Sequence, residues 1–148
     1  MITIGCDKAG TVFVERICKE LDAKGIEYKV LFDGKEDGCD YTDAAFAVAK
    51  SVVAKDAELG ILICGTGIGM SIAANKVKGI RAAVCSDTFS AKMTRVHNDA
   101  NVLCMGARVI GEELAVCILD AFLEGVFEKG GRHERRVGKI IAAENGEF

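Results

Sequence analysis

A single thiol stands between an apolar run and a glycine-rich segment near the middle of the chain. Residues 61–64 are continuously apolar, as in a buried strand, and the sequence GTGIG follows at residues 65–69. A helical pattern begins at Met70, so the amides of the loop lie at a helix N-terminus, where they can bind an anion or oxyanion. Cys64, at the carboxyl end of this strand, is therefore a candidate nucleophile or base.

Two later polar segments could also carry chemistry. His97, one of two histidines in the chain, begins HNDAN between a predicted helix and an apolar strand. Arg132 and Arg136 follow two glycines and share one face of a predicted helix. Cations at a helix N-terminus oppose its dipole, and anion binding would explain their placement. From the residues alone, a solvated basic patch and a helix-capping histidine are open alternatives.

A nucleotide site is an alternative function for the glycine loop. GTGIG matches the start of GxGxxG, and Asp87 lies 20 residues beyond Gly67. Met70 occupies the third glycine position, however, and the loop follows the third predicted strand rather than the first. Dinucleotide binding is therefore the weaker hypothesis. A P-loop is excluded because no GK[ST] follows.

Three blocks, in this order and spacing, resemble ribose-5-phosphate isomerase B and the galactose-6-phosphate isomerase subunits. They are ICGTGIGMSIAANK (63–76), GIRAA (79–83) and HNDANVL (97–103), and the resemblance extends from Gly5 to about Ile140. It implies an aldose–ketose isomerase that interconverts ribose 5-phosphate and ribulose 5-phosphate through an enediolate, without a metal or other cofactor. The open alternative within this class is another sugar phosphate, such as allose, galactose or a tetrose phosphate.

The resemblance also implies roles for single residues. Cys64 would move the proton between C1 and C2, because the glutamate that other members use is replaced here by Met70. His97 would open the sugar ring, and GGRHERR would bind the phosphate. The implied catalytic set is Cys64, Thr66 and His97; the implied substrate-binding set is Asp7, Lys8, Tyr41, Gly65, Gly67, Gly69, Asn98, Arg108, Arg132 and Arg136. Active sites in the family form between two subunits, so a homodimer, or a tetramer built from it, is expected.

The chain departs from the family pattern at two positions. GCDKAG stands near the N-terminus where the family usually has histidine in place of Lys8, and DYTD stands for DYPD. The second change only loosens a turn. Lys8 lies in the implied active site, so it bears on which sugar phosphate is accepted.

Alternating strand and helix patterns supply the elements that must position these residues. Strands are predicted at 1–6, 27–32, 59–64, 81–85 and 102–105, and helices at 11–24, 44–54, 70–76, 86–96, 111–125 and 133–144, with a polar loop at 33–43. This order predicts an α/β fold, a three-layer Rossmann-like sandwich around a five-stranded parallel sheet. A single domain spanning residues 1–148 is expected.

Composition narrows the class of protein. Half of the 148 residues are hydrophobic, 28% are charged and the net charge is −3, which gives no case for a nucleic-acid or membrane partner. The N-terminus lacks the features of a signal peptide, so a cytoplasmic protein is expected. No two of the seven cysteines are closer than 12 residues, and those other than Cys64 are expected to be small buried hydrophobes.

Overall fold

Strands and helices alternate along the chain in the computed structural model, which describes residues 1–36 and 38–147. The strands are β1 (Ile2–Cys6), β2 (Tyr28–Asp33), β3 (Leu59–Cys64), β4 (Ala82–Val84) and β5 (Val102–Gly106). The helices are α1 (Thr11–Ala23), α2 (Tyr41–Val53), α3 (Ile68–Ala74), α4 (Thr88–Asn98), α5 (Glu112–Glu124) and α6 (Arg132–Glu144). In the described part of the chain, no helix combines the length and apolar character needed to cross a membrane.

The five strands form one sheet in the order β2-β1-β3-β5-β4, and every neighbouring pair is parallel. Helices α1, α4 and α5 bury apolar side chains against one face of the sheet. Helices α2 and α3 cover the other face, where Leu62 and Cys64 of β3 pack. The predicted three-layer α/β fold with a five-stranded parallel sheet is thereby confirmed.

Helices α2 and α4 do not begin at the predicted residues, because a local hydrogen bond fixes the first turn of each. Helix α2 begins at Tyr41, inside the predicted 33–43 loop, because the Asp43 carboxylate accepts a hydrogen bond from the Asp40 amide at 3.0 Å. Residue 37 of that loop lies outside the described residues. Helix α4 begins two residues late, since Asp87 is its N-cap and accepts from the Ser90 amide at 2.7 Å.

The edge strand β4 is bonded on its outer side by a side chain. The Asn75 side-chain nitrogen donates to the Ala82 carbonyl at 2.9 Å, and the Ala82 amide donates to the Asn75 side-chain oxygen at 2.8 Å. An amide side chain therefore takes the place that a further strand would occupy. β4 itself is only three residues long.

The expectation that the cysteines other than Cys64 are buried is correct for three and wrong for three. Cys6, Cys85 and Cys104 are buried, and burial raises the pKa of Cys6 to about 12 and that of Cys85 to about 11. Cys18 and Cys39 are half-buried, and Cys117 is exposed. The apolar run around Cys117 is amphipathic, because the neighbours Val116 and Ile118 face the core while Cys117 faces outward.

Candidate active site

The loop between β3 and α3 holds the Cys64 thiol against a backbone amide. Cys64 is 5% exposed, and its Sγ accepts a hydrogen bond from the Gly67 amide at 3.1 Å. Gly67 has φ 78°, and a Cβ there would lie 3.0 Å from the carbonyl carbon of Met105. A backbone donor aimed at sulfur stabilises negative charge on it. The arrangement thus suits a thiolate that acts as a base.

The end of β5 fixes this loop from its other side. The Ala107 amide donates to the Cys64 carbonyl at 2.8 Å, and the Arg108 amide donates to the Gly65 carbonyl at 3.0 Å. A Cβ at Gly106 would lie 2.7 Å from the carbonyl carbon of Thr66, so the loop packs directly on a glycine. The Arg108 side chain runs over Gly65, with its Cδ 3.5 Å from where a Cβ would stand. Predicted site residues from two segments therefore meet here.

Three further predicted residues lie at the same edge of the sheet. The Asp7 amide donates to the Ile63 carbonyl at 3.2 Å, beside Cys64, and its carboxylate accepts from the two amides of residues 9 and 10. Tyr41 packs its ring on the loop, 2.7 Å from where a Cβ of Gly69 would lie. Lys8 follows Asp7 and is exposed. In the described part of the chain, no carboxylate oxygen lies within salt-bridge distance of the Lys8 ammonium.

Other predicted residues lie at the opposite edge of the sheet. Helix α4 returns from the carboxyl end of β4 to the amino end of β5, and His97 and Asn98 form its last turn. Arg81, just before β4, donates from Nε to the Asp99 carbonyl at 2.8 Å and thereby fixes this end of α4. Cys64 ends β3 at the carboxyl edge of the sheet, whereas His97 lies where α4 returns to the amino end of β5.

A second histidine stacks on His97. The ring centroids of His97 and His133 are 4.1 Å apart, and their planes differ by 5°. His133 is buried, and its Nε2 lies 3.4 Å from the Arg132 Nε that donates to it and 3.6 Å from a carboxylate oxygen of Glu128. Burial and the neighbouring His97 lower the pKa of His133, while Glu128 opposes the shift.

His133 lies in the GGRHERR segment that was predicted to bind phosphate, but no role of its own was predicted for it. The sequence did contain a signal for this residue. The chain has only two histidines: His97 begins HNDAN and His133 lies in GGRHERR, and both segments were assigned to the site. Arg132 and Arg136 lie in the first two turns of α6 and are exposed. One chain therefore presents two groups: a thiol loop at the carboxyl edge and a histidine–arginine group at the amino edge.

The described side chains offer no group suited to a metal ion. In residues 1–36 and 38–147, no three His, Cys, Asp or Glu side chains are grouped as metal ligands. The absence of a cofactor stays a prediction.

The whole chain was compared with protein families. The family model described as Ribose/Galactose Isomerase matches residues 2–140. The chain belongs to the ribose/galactose isomerase family. Among its relatives is ribose-5-phosphate isomerase B of Escherichia coli (strain K12), 47% identical over 143 residues that cover 97% of this chain and 95% of the relative.

Solved structures agree with membership of the ribose/galactose isomerase family. Ribose-5-phosphate isomerase B of Clostridium thermocellum superposes with a TM-score of 0.94 at 45% identity and covers 99% of both chains. Ribose-5-phosphate isomerase B of Mycoplasma genitalium, solved with bound ribulose-5-phosphate, gives a TM-score of 0.90 at 41% identity and covers 97% of this chain and 95% of that one.

Two of the sequence blocks that resemble the ribose/galactose isomerase family are tied together by one side chain. The Asn101 oxygen accepts from the Arg81 amide at 2.8 Å, and its nitrogen donates to the Gly79 carbonyl at 2.8 Å. These two hydrogen bonds therefore connect the GIRAA segment to the HNDAN segment at the end of α4. Met70, at the third glycine position of the dinucleotide pattern, is fully buried, so the close helix approach of that pattern is missing.

Proposed function

We propose that the chain, as a single domain spanning residues 1–148, is an aldose–ketose isomerase that interconverts ribose 5-phosphate and ribulose 5-phosphate. The observation that carries this proposal is the Cys64 thiol, which faces the amide of a glycine loop at the carboxyl edge of the sheet. The relative from E. coli bears this activity in its name, and the M. genitalium structure contains ribulose-5-phosphate. We expect the enzyme to act in the cytoplasm, because charged sugar phosphates do not cross membranes unaided.

The loop supplies a base and donors for a proton transfer without a metal. In the open-chain aldose, the Cys64 thiolate removes the proton on C2, and the electron pair moves to the carbonyl oxygen on C1. The resulting enediolate is assigned to amides of the loop other than those of Gly67 and Ile68, which donate to Cys64 Sγ and to the Thr66 hydroxyl. The thiol then returns its proton to C1, while the proton of the C2 hydroxyl is transferred to the C1 oxygen, so that C2 becomes the carbonyl carbon of the ketose. Thr66 is exposed on the loop, with its hydroxyl accepting from the Ile68 amide at 3.3 Å, and is placed to exchange the proton on an enediolate oxygen.

The remaining groups come from a second copy of the chain in this proposal. His97 and Cys64 of one chain belong to opposite edges of the sheet, so we assign them to two different sites. Exposed apolar side chains provide an interface: Ile68 and Ile72 on α3 are more than half exposed, and Phe89 on α4 is 73% exposed. A two-fold homodimer would bring the thiol loop of one protomer to the histidine–arginine group of its partner, twice per dimer.

Ring opening and phosphate binding are then assigned to the partner's group. His97 exchanges a proton with the ring oxygen and the anomeric hydroxyl of the cyclic sugar. Asn98, next to it and exposed, is placed for a sugar hydroxyl. Arg132 and Arg136 are one helical turn apart and exposed, as bidentate phosphate contacts require. Arg108, which lies over the loop, reaches the same phosphate from the other protomer.

Asp7, Lys8 and Tyr41 complete the sugar side of the site. Asp7 and Tyr41 flank the loop and are assigned to sugar hydroxyls. The exposed Lys8 ammonium is free to turn toward a phosphate or a hydroxyl, and its placement decides the accepted sugar length.

Mixed dimers test the shared site. Cys64→Ala and His97→Asn each remove one half of both sites, so each variant alone should be inactive. If the two variants are co-expressed and associate at random, half of the dimers have one intact site, and activity should return to about a quarter of the wild-type value. Two inactive parents that stay inactive when mixed would contradict the shared site.

Coupled assays test the reaction itself. Ribose 5-phosphate should be isomerised at the same rate with and without EDTA, and faster than C4 and C6 sugar phosphates. Activity that disappears with EDTA would contradict the cysteine mechanism. Binding of a nicotinamide dinucleotide without isomerisation would favour the nucleotide-binding alternative.

A further inference from the structure

The stack between His97 and His133 joins two helices that the chain forms far apart in sequence. His97 lies in the last turn of α4 and His133 in the first turn of α6, with ring centroids 4.1 Å apart. The Glu128 amide donates to the Val96 carbonyl at 3.0 Å, so the segment leading into α6 is anchored beside His97. The plane of His97 is therefore set by a ring that is itself fixed.

The surroundings of the two rings differ. His133 is 7% exposed, whereas His97 is half-buried and open to solvent on one side. The charged and titratable groups facing His133 are His97 from α4, Glu128 from the preceding segment, and Arg132 and Arg136 from its own helix. The Arg132 Nε lies 3.4 Å from His133 Nε2, and a carboxylate oxygen of Glu128 lies 3.6 Å from the same nitrogen, so this ring is held from both sides.

Burial and the two arginines lower the pKa of His133, and the exposed Glu128 only partly opposes them. His97 is the less buried ring of the pair and the one that solvent and a sugar can reach.

We propose that His133 is the positioning residue of His97: by stacking on it, His133 fixes the plane of the imidazole that opens the sugar ring. This inference rests on the proposed function, in which His97 opens the sugar ring. His133 touches no substrate in this arrangement and acts only through its neighbour.

Two variants separate the plane of the ring from its nitrogens. His133→Phe keeps a planar ring on which His97 can stack, whereas His133→Ala removes it. For His133→Ala we expect kcat on ribose 5-phosphate to fall about 10- to 100-fold, because a shift of about 1 Å in an acid–base group is enough for such a loss. KM should change less than about threefold, and His133→Phe should recover most of kcat.

A second assay by-passes ring opening. Ribulose 5-phosphate has no C5 hydroxyl with which to close a furanose ring, so exchange of its C1 proton with D₂O reports on the thiol loop alone. This exchange should stay within about threefold of wild type in both His133 variants. Equal losses in exchange and in isomerisation, or equal losses in Phe and Ala variants, would overturn the proposal.

An NMR titration tests the coupling without substrate. The chain has only two histidines, so in His97→Asn the remaining imidazole signal belongs to His133. Its titration midpoint should rise relative to wild type, because His97 lowers the pKa of His133. An unchanged midpoint would overturn the proposal even if His133→Ala fails to fold. A wild-type enzyme inactive on ribose 5-phosphate would instead refute the proposed function, whatever the titration shows.

Discussion

Gly67→Ala should damage both the backbone and the chemistry of the thiol loop. Gly67 has φ 78°, which costs an L-residue about 1–2 kcal/mol. The new Cβ would also lie 3.0 Å from the Met105 carbonyl carbon, so the loop must move away from β5. That movement displaces the amide that now donates to Cys64 Sγ at 3.1 Å. Since loss of one such donor typically costs about 100- to 1,000-fold in rate, we expect kcat to fall about 100-fold.

Gly25→Ala is the matched control for this prediction. Gly25 has φ 65°, close to that of Gly67, but a Cβ there meets no atom within 4 Å. Its cost is therefore backbone strain alone, about 1–2 kcal/mol, and a chain of this size should melt roughly 2–8 °C lower. Both variants are assayed well below their melting temperatures for isomerisation of ribose 5-phosphate. A Gly67→Ala enzyme that is as active as Gly25→Ala would refute the role of the loop amide.

The remaining predictions use other parts of the site. Cys64→Ala should lose both isomerisation and C1 exchange of ribulose 5-phosphate, by about 100- to 10,000-fold. His97→Asn should lose isomerisation and keep C1 exchange. Retained C1 exchange in Cys64→Ala would exclude the thiol as the base. The lowered pKa of His133 means that the unfolded chain binds a proton first as pH falls, so wild-type stability should decrease below the ordinary histidine value of 6.5. Urea denaturation of His133→Phe should show a smaller decrease in stability over the same pH range. An identical decrease in the variant would show that a group other than His133 causes the pH dependence. Lys8→His should change the ratio of kcat/KM between C4, C5 and C6 sugar phosphates; an unchanged ratio would show that Lys8 does not select the substrate.

Much of the fold could be predicted because its signals are local. The apolar runs and glycines around Leu59–Cys64 predict a buried strand and a tight turn, and the structure has both. The predicted start of α3 at Met70 was wrong, because the helix begins at Ile68 for a local reason that the pattern does not contain. Gly67 is the N-cap in a left-handed conformation, and it turns the chain into the helix two residues earlier.

The site was harder to predict, because its parts depend on which edge of the sheet each segment reaches. Asp7 and Cys64 both end parallel strands, so their common edge follows from the pattern. His97 and Arg132 carry no such signal, and their distance from Cys64 depends on the return of α4 to the start of β5. The stack with His133 joins residues 36 positions apart through the packing of α6, and no periodicity of the sequence specifies it.

The side chain that caps the outer edge of β4 limits how copies of this protein can assemble. Asn75 occupies the outward-facing amide and carbonyl of Ala82, and the strand is three residues long. Too few backbone groups are left there to start a hydrogen-bonded ladder with another chain. Protomers that meet near this edge must join through side chains, which favours a closed pair over an open-ended fibre.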